Sequence, residues 1–69
     1  MSKVYTEEQV LEILAKTIEM MLSAQRCKEL GMSGDQASIK MANDVKNNWR
    51  LNLNLAKMNL DAITSIKAS

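Results

Sequence analysis

Two carboxylates one helical turn apart, Glu8 and Glu12, are the nearest thing in this chain to an acid–base pair. General acid–base work needs such groups in a desolvated setting that drives their pKa values apart. Here they sit on the polar side of their segment, where the reading is a solvated acidic patch. Cys27 is the single thiol, and no histidine is present to activate it. A thiolate nucleophile needs a nearby cation or base, so Cys27 reads as a small packed side chain. Without histidine or a second cysteine, neither a zinc site nor an internal disulfide can be built. Lys46, Arg50 and Lys57 fall within a narrow helical arc that could meet an anionic ligand. Only Lys40 and Lys67 add to them while Asp44 and Asp61 lie close by, so the basic stripe is thin for nucleic acid. No glycine-rich phosphate loop occurs. The expectation is a non-enzymatic protein with no cofactor and no metal.

The elements that position these residues are helical. Gly31 and Gly34 are the two glycines of the 69 residues, and there is no proline. Glycine reaches conformations that other residues avoid, and proline would break a helix, so the segment 31–34 reads as the one corner. Thr6 followed by Glu7, Glu8 and Gln9 gives an N-cap hydroxyl, acids at the positive end of the helix dipole and a capping-box partner. Val10, Leu11, Leu14, Ile18, Met21 and Leu22 then repeat at helical spacing, with Glu12, Lys16, Glu19, Ser23 and Arg26 on the other side. Gly31 reads as the residue that closes this helix, and Ser33 with Gln36 as a second capping box. The expected fold is all-α: an antiparallel hairpin with one helix over about residues 6–30, a turn at 31–34 and a second helix over about 35–66, forming one domain over 1–69. Its expected core pairs Leu11, Leu14, Ile18 and Met21 with Val45, Trp49, Leu53, Ala56 and Leu60.

The second helix carries more apolar surface than one neighbour can cover. On a regular helical wheel, Val45, Trp49, Leu53, Ala56 and Leu60 form one stripe. Leu51, Leu55, Met58, Ala62 and Ile66 form another, about 120–140° away. Asn48, Asn52 and Asn59 lie between them and read as candidates for hydrogen bonds across a subunit interface, as buried asparagines act in coiled coils. All six asparagines fall between positions 43 and 59, although asparagine is a mediocre helix former. Trp49 reads as the largest core residue, or else as an anchor for a partner.

Length and charge bound what remains. A chain this short rarely stabilises itself without a disulfide, a metal or self-association, and the first two are missing. Net charge is +1, too small to recruit nucleic acid or membrane by field alone. No run reaches the length of a membrane span, and residues 1–20 hold four glutamates rather than the apolar stretch of a signal peptide. With an unpaired cysteine, these features lead to the expectation of a reducing, cytoplasmic setting unless export uses a signal not readable here.

The segment Asn43-Asp44-Val45-Lys46-Asn47-Asn48-Trp49-Arg50-Leu51 is similar in character to the second helix of type III secretion needle proteins, where an aromatic occupies mid-helix. The stretch from Met41 to Ile63 also resembles the R-body proteins. Both families assemble from helical hairpins, so the resemblance implies a self-assembling subunit; it transfers no functional residue. The chain is therefore expected to oligomerise into a helical bundle through Leu51, Leu55, Met58, Ala62 and Ile66 with Asn48, Asn52 and Asn59, serving as a structural or interaction subunit. The alternative is a small adaptor or inhibitor of phage type that binds a host protein, a nucleotide or a nucleic acid.

Overall fold

A computed structural model describes residues 4–68; positions 1–3 and 69 of the expected domain lie outside the described residues. Helix α1 spans Glu7–Glu29, α2 spans Gly34–Asn48, a 3₁₀ turn spans Trp49–Asn52, and α3 spans Leu53–Ala68. The last three join into one long bent helix that packs back along α1, so the fold is an all-helical hairpin.

Both ends of α1 form for local reasons. Thr6 is extended at φ −72°, ψ 160°, and its hydroxyl accepts the Gln9 backbone N–H at 3.1 Å. The Gln9 side chain accepts the Thr6 N–H in return at 2.9 Å, completing the capping box. At the other end Gly31 adopts φ +66°, which a residue with a Cβ rarely takes. Met32 donates to the Cys27 carbonyl and Gly31 to the Lys28 carbonyl, each at 3.1 Å, the two bonds of a Schellman closure. Ser33 then caps α2 by accepting the Gln36 N–H at 3.3 Å.

The long helix is not regular. After Asn48, at φ −119°, ψ −3°, the chain tightens into 3₁₀ geometry for four residues. A 3₁₀ segment advances about 20° more per residue than an α-helix, so stripes drawn on one continuous wheel lose register here. The low helix propensity of the clustered asparagines weakens α-helix at this place.

That shift, together with close approach of the helices, moves the centre of the hairpin off the large apolar residues. Ala15, Glu19, Ser23 and Cys27 on α1 are buried, as are Asn52 and Ala56 opposite. Both rows step by four residues, and their small members bring the backbones together. Leu11, Leu14, Ile18, Val45, Trp49 and Leu60 of the expected core are half-buried beside this seam. Met21 is 68% exposed, and Leu53 is exposed as well. The larger apolar side chains flank this seam or point outward. Glu19 and Ser23, expected on the solvated side, take its centre.

Candidate functional site

The seam is polar and fully matched. Glu19, only 2% exposed, receives the Asn52 amide at 2.9 Å on one oxygen and the Arg26 guanidinium at 3.0 Å on the other. Ser23 donates its hydroxyl to Asp44 at 2.7 Å, and the Lys40 ammonium approaches the same Asp44 oxygen at 3.3 Å. Arg26 lies 3.7 Å from it and so bridges the two carboxylates. The Ser23 hydrogen bond holds the Asp44 carboxyl below its ordinary range; desolvation opposes this, and Lys40 and Arg26 reinforce it. Among the described residues every buried side-chain nitrogen and oxygen has a partner. A charge network matched in this way fixes register. Asn52, 6% exposed, lies in the hairpin's own interior, where its amide donates to Glu19. Asn48 is half-buried at the joint with the 3₁₀ turn, and Asn59 is exposed.

The apolar residues are on the outside. On α3 and the turn before it, Leu51 is 80% and Met58 65% exposed, and Leu55, Ala62 and Ile66 are exposed beside them. On α1, Ile13, Met20, Met21 and Leu22 are exposed, and on α2 Ile39. The whole chain presents 5608 Å² to solvent, against about 4,300 Å² for a folded monomer of 7.7 kDa. Its radius of gyration is 14.4 Å, against about 11 Å for a globular chain of this length. The excess of roughly 1,300 Å² is larger than the about 800 Å² that one partner buries in a standard interface.

A second surface lies where α1 meets α2. A groove of about 570 Å³ is lined by the apolar Met20, Met41, Ala42, Val45 and Trp49 and by Lys16, Lys46 and Ser38. Trp49 carries two cations over its ring: Arg50 with its guanidinium carbon 4.6 Å from the centroid and Lys16 with Nζ at 5.5 Å. Lys16 also pairs with Glu12 at 3.1 Å. Lys46, Arg50 and Lys57 are all exposed. Sequence spacing put Lys46 and Arg50 on one arc and read Trp49 as core or partner anchor without joining them, so the groove was missed; its signal was the i, i+4 run Met41–Val45–Trp49 beside those cations.

Among the described residues no group of three or more histidine, cysteine or acidic side chains is placed to hold a metal ion, and no helix is long and apolar enough to cross a membrane. Compared with protein-family models, curated proteins and solved structures, the chain matches none.

Proposed function

We propose that this chain is a non-enzymatic building block whose hairpins associate with one another into a helical bundle. The observation that carries this reading is the apolar stripe of Leu51, Leu55, Met58, Ala62 and Ile66, exposed on a chain with about 1,300 Å² of surplus surface. Burying a Leu, Ile or Met contributes roughly 1.5–3 kcal/mol, so several kcal/mol of association free energy are at stake in this stripe. A patch of this kind left in water promotes aggregation, and a second copy is the simplest cover. Asn59 lies on the same helix and would meet a partner there. The needle-like and R-body-like character of the second helix agrees with an assembling hairpin. The buried, unpaired Cys27 is consistent with a reducing, cytoplasmic setting.

Analytical ultracentrifugation of the wild type beside Leu55→Glu tests this. The wild type is expected to sediment as an oligomer at micromolar concentration and Leu55→Glu as a folded, smaller species. A wild type that is monomeric and helical under those conditions would overturn the proposal.

A further inference from the structure

The groove between α1 and α2 faces a different ligand from the α3 stripe. We propose that it docks an amphipathic helix from another protein, one whose apolar face is bordered by acidic residues. Met41, Val45 and Trp49 follow each other at four-residue spacing along its length, and Met20 closes it from α1. That is the pattern of a trough that accepts the apolar ridge of a helix laid along it, and its two methionines can adjust to the side chains that enter.

The edges decide which helix. Lys16 and Lys46 line the groove and Arg50 stacks on its tryptophan. Of the three, only Lys16 has an acidic neighbour, Glu12; among the described residues neither Lys46 nor Arg50 makes an ion pair. Lys46 in the groove lining and Arg50 on its tryptophan are therefore two unneutralised cations in a chain whose total charge is only +1. Acidic side chains along the edge of an incoming helix meet them, while a basic-edged helix is repelled.

The α3 stripe of a second copy does not supply such a helix. Its acids at Glu19 and Asp44 are consumed in the hairpin seam, and Glu12 is paired with Lys16. The outer stripe of α3 is bordered by Asn54, Asn59 and Lys57, with Asp61 as its one acid. The exposed apolar face of α1, from Ile13 to Met21, is bordered by Lys16, whose ammonium is already paired with Glu12. The groove and the α3 stripe are therefore separate interfaces.

Trp49 is the only tryptophan, so its emission reports the groove directly. The test titrates full-length protein with two synthetic amphipathic helices of identical apolar face, one edged with Glu and the other with Lys. The Glu-edged helix is expected to shift Trp49 emission saturably, and more weakly as salt is raised from low to physiological. The double reversal Lys46→Glu with Arg50→Glu is expected to weaken it by roughly tenfold and to admit the Lys-edged helix. Lys57→Glu, which reverses a charge that does not line the groove, is expected to change neither affinity. Leu55→Glu protein should bind the Glu-edged helix as the wild type does, so failure of self-assembly and failure of this docking are told apart. Equal binding of the two helices, no emission change with either, or insensitivity to both salt and the double reversal would each overturn the proposal. So would an emission shift produced by protein concentration alone and abolished by the double reversal, which would make a second copy the occupant. A response to anionic lipid vesicles but to neither helix would assign the groove to membrane.

Discussion

Replacing Asn52 by leucine removes one hydrogen bond while keeping the branched side-chain skeleton, and its cost falls on Glu19. The carboxylate is buried beneath the long helix, with one oxygen served by Asn52 and the other by Arg26. In Asn52→Leu the first oxygen keeps its charge and loses its donor. Leaving a buried acceptor unmatched costs about 1–3 kcal/mol, at the upper end for a charged group. The added apolar surface at position 52 returns part of this, so the expected net loss is about 2 kcal/mol. A 69-residue domain holds roughly 3–10 kcal/mol in all, which makes that loss visible in urea denaturation followed by far-ultraviolet circular dichroism. Glu19→Leu alone strands the Asn52 amide and is expected to cost a similar amount. The double variant, in which neither polar group remains, should recover most of the loss, because a buried polar pair replaced by apolar groups is often neutral. All four proteins must be compared at one concentration, since the proposed association would contribute to apparent stability. A strictly additive cycle, or a neutral Asn52→Leu, would show that the Glu19–Asn52 bond does not hold the seam and that the hairpin's register is set elsewhere.

Three further outcomes follow from local geometry. Gly31→Ala should cost about 1 kcal/mol in thermal unfolding, because φ is +66° while no atom lies near the added methyl; Gly34→Ala, equally open but helical, should stabilise by about 0.5–1 kcal/mol. Thr6→Ala should lower stability by about 1 kcal/mol through loss of the capping-box acceptor, read as fraying of the α1 amides in hydrogen exchange. Because the folded chain depresses the Asp44 pKa, its contribution is complete above the ordinary carboxylate value near 3.8 and is lost as pH falls through the lower folded value; acid titration of Asp44→Asn should show a shallower decline over that window than wild type.

What was legible in the sequence was what short segments decide. Thr6 with Gln9, Gly31 and Ser33 each cap or close a helix through partners within five residues, so their types alone placed these helix ends. The seam was not legible, because its determinants pair across the fold: Glu19 with Asn52 is 33 residues apart, and Ser23 with Asp44 is 21. Hydrophobic periodicity ranks large side chains as interior, yet close approach of two helices selects small or mutually satisfied polar ones. The trace it left was the four-residue spacing of Ala15, Glu19, Ser23 and Cys27, mirrored by Asp44, Asn48, Asn52 and Ala56. The phase slip at Trp49–Asn52 had its own trace in the crowded asparagines, which a regular wheel ignores.

A hairpin held by a polar seam and small residues has specified its own register without spending its apolar surface, and that surface remains for association. The physical consequence is a stability that depends on protein concentration. If folding and assembly through the α3 stripe are linked, each tenfold rise in concentration should favour the folded assembly by about 1.4 kcal/mol per added subunit contact, and Tm should climb steadily over a hundredfold dilution series. Leu55→Glu should flatten that dependence and lower Tm to a single value, because it places a charge in the stripe without touching Glu19, Asn52 or Asp44. Asn52→Leu should behave in the opposite way, lowering Tm at every concentration while preserving the slope. Differential scanning calorimetry of the three proteins separates the two effects. A wild-type Tm that is independent of concentration would mean that the seam alone carries the fold, and that the exposed leucines and methionines serve a partner other than a second copy.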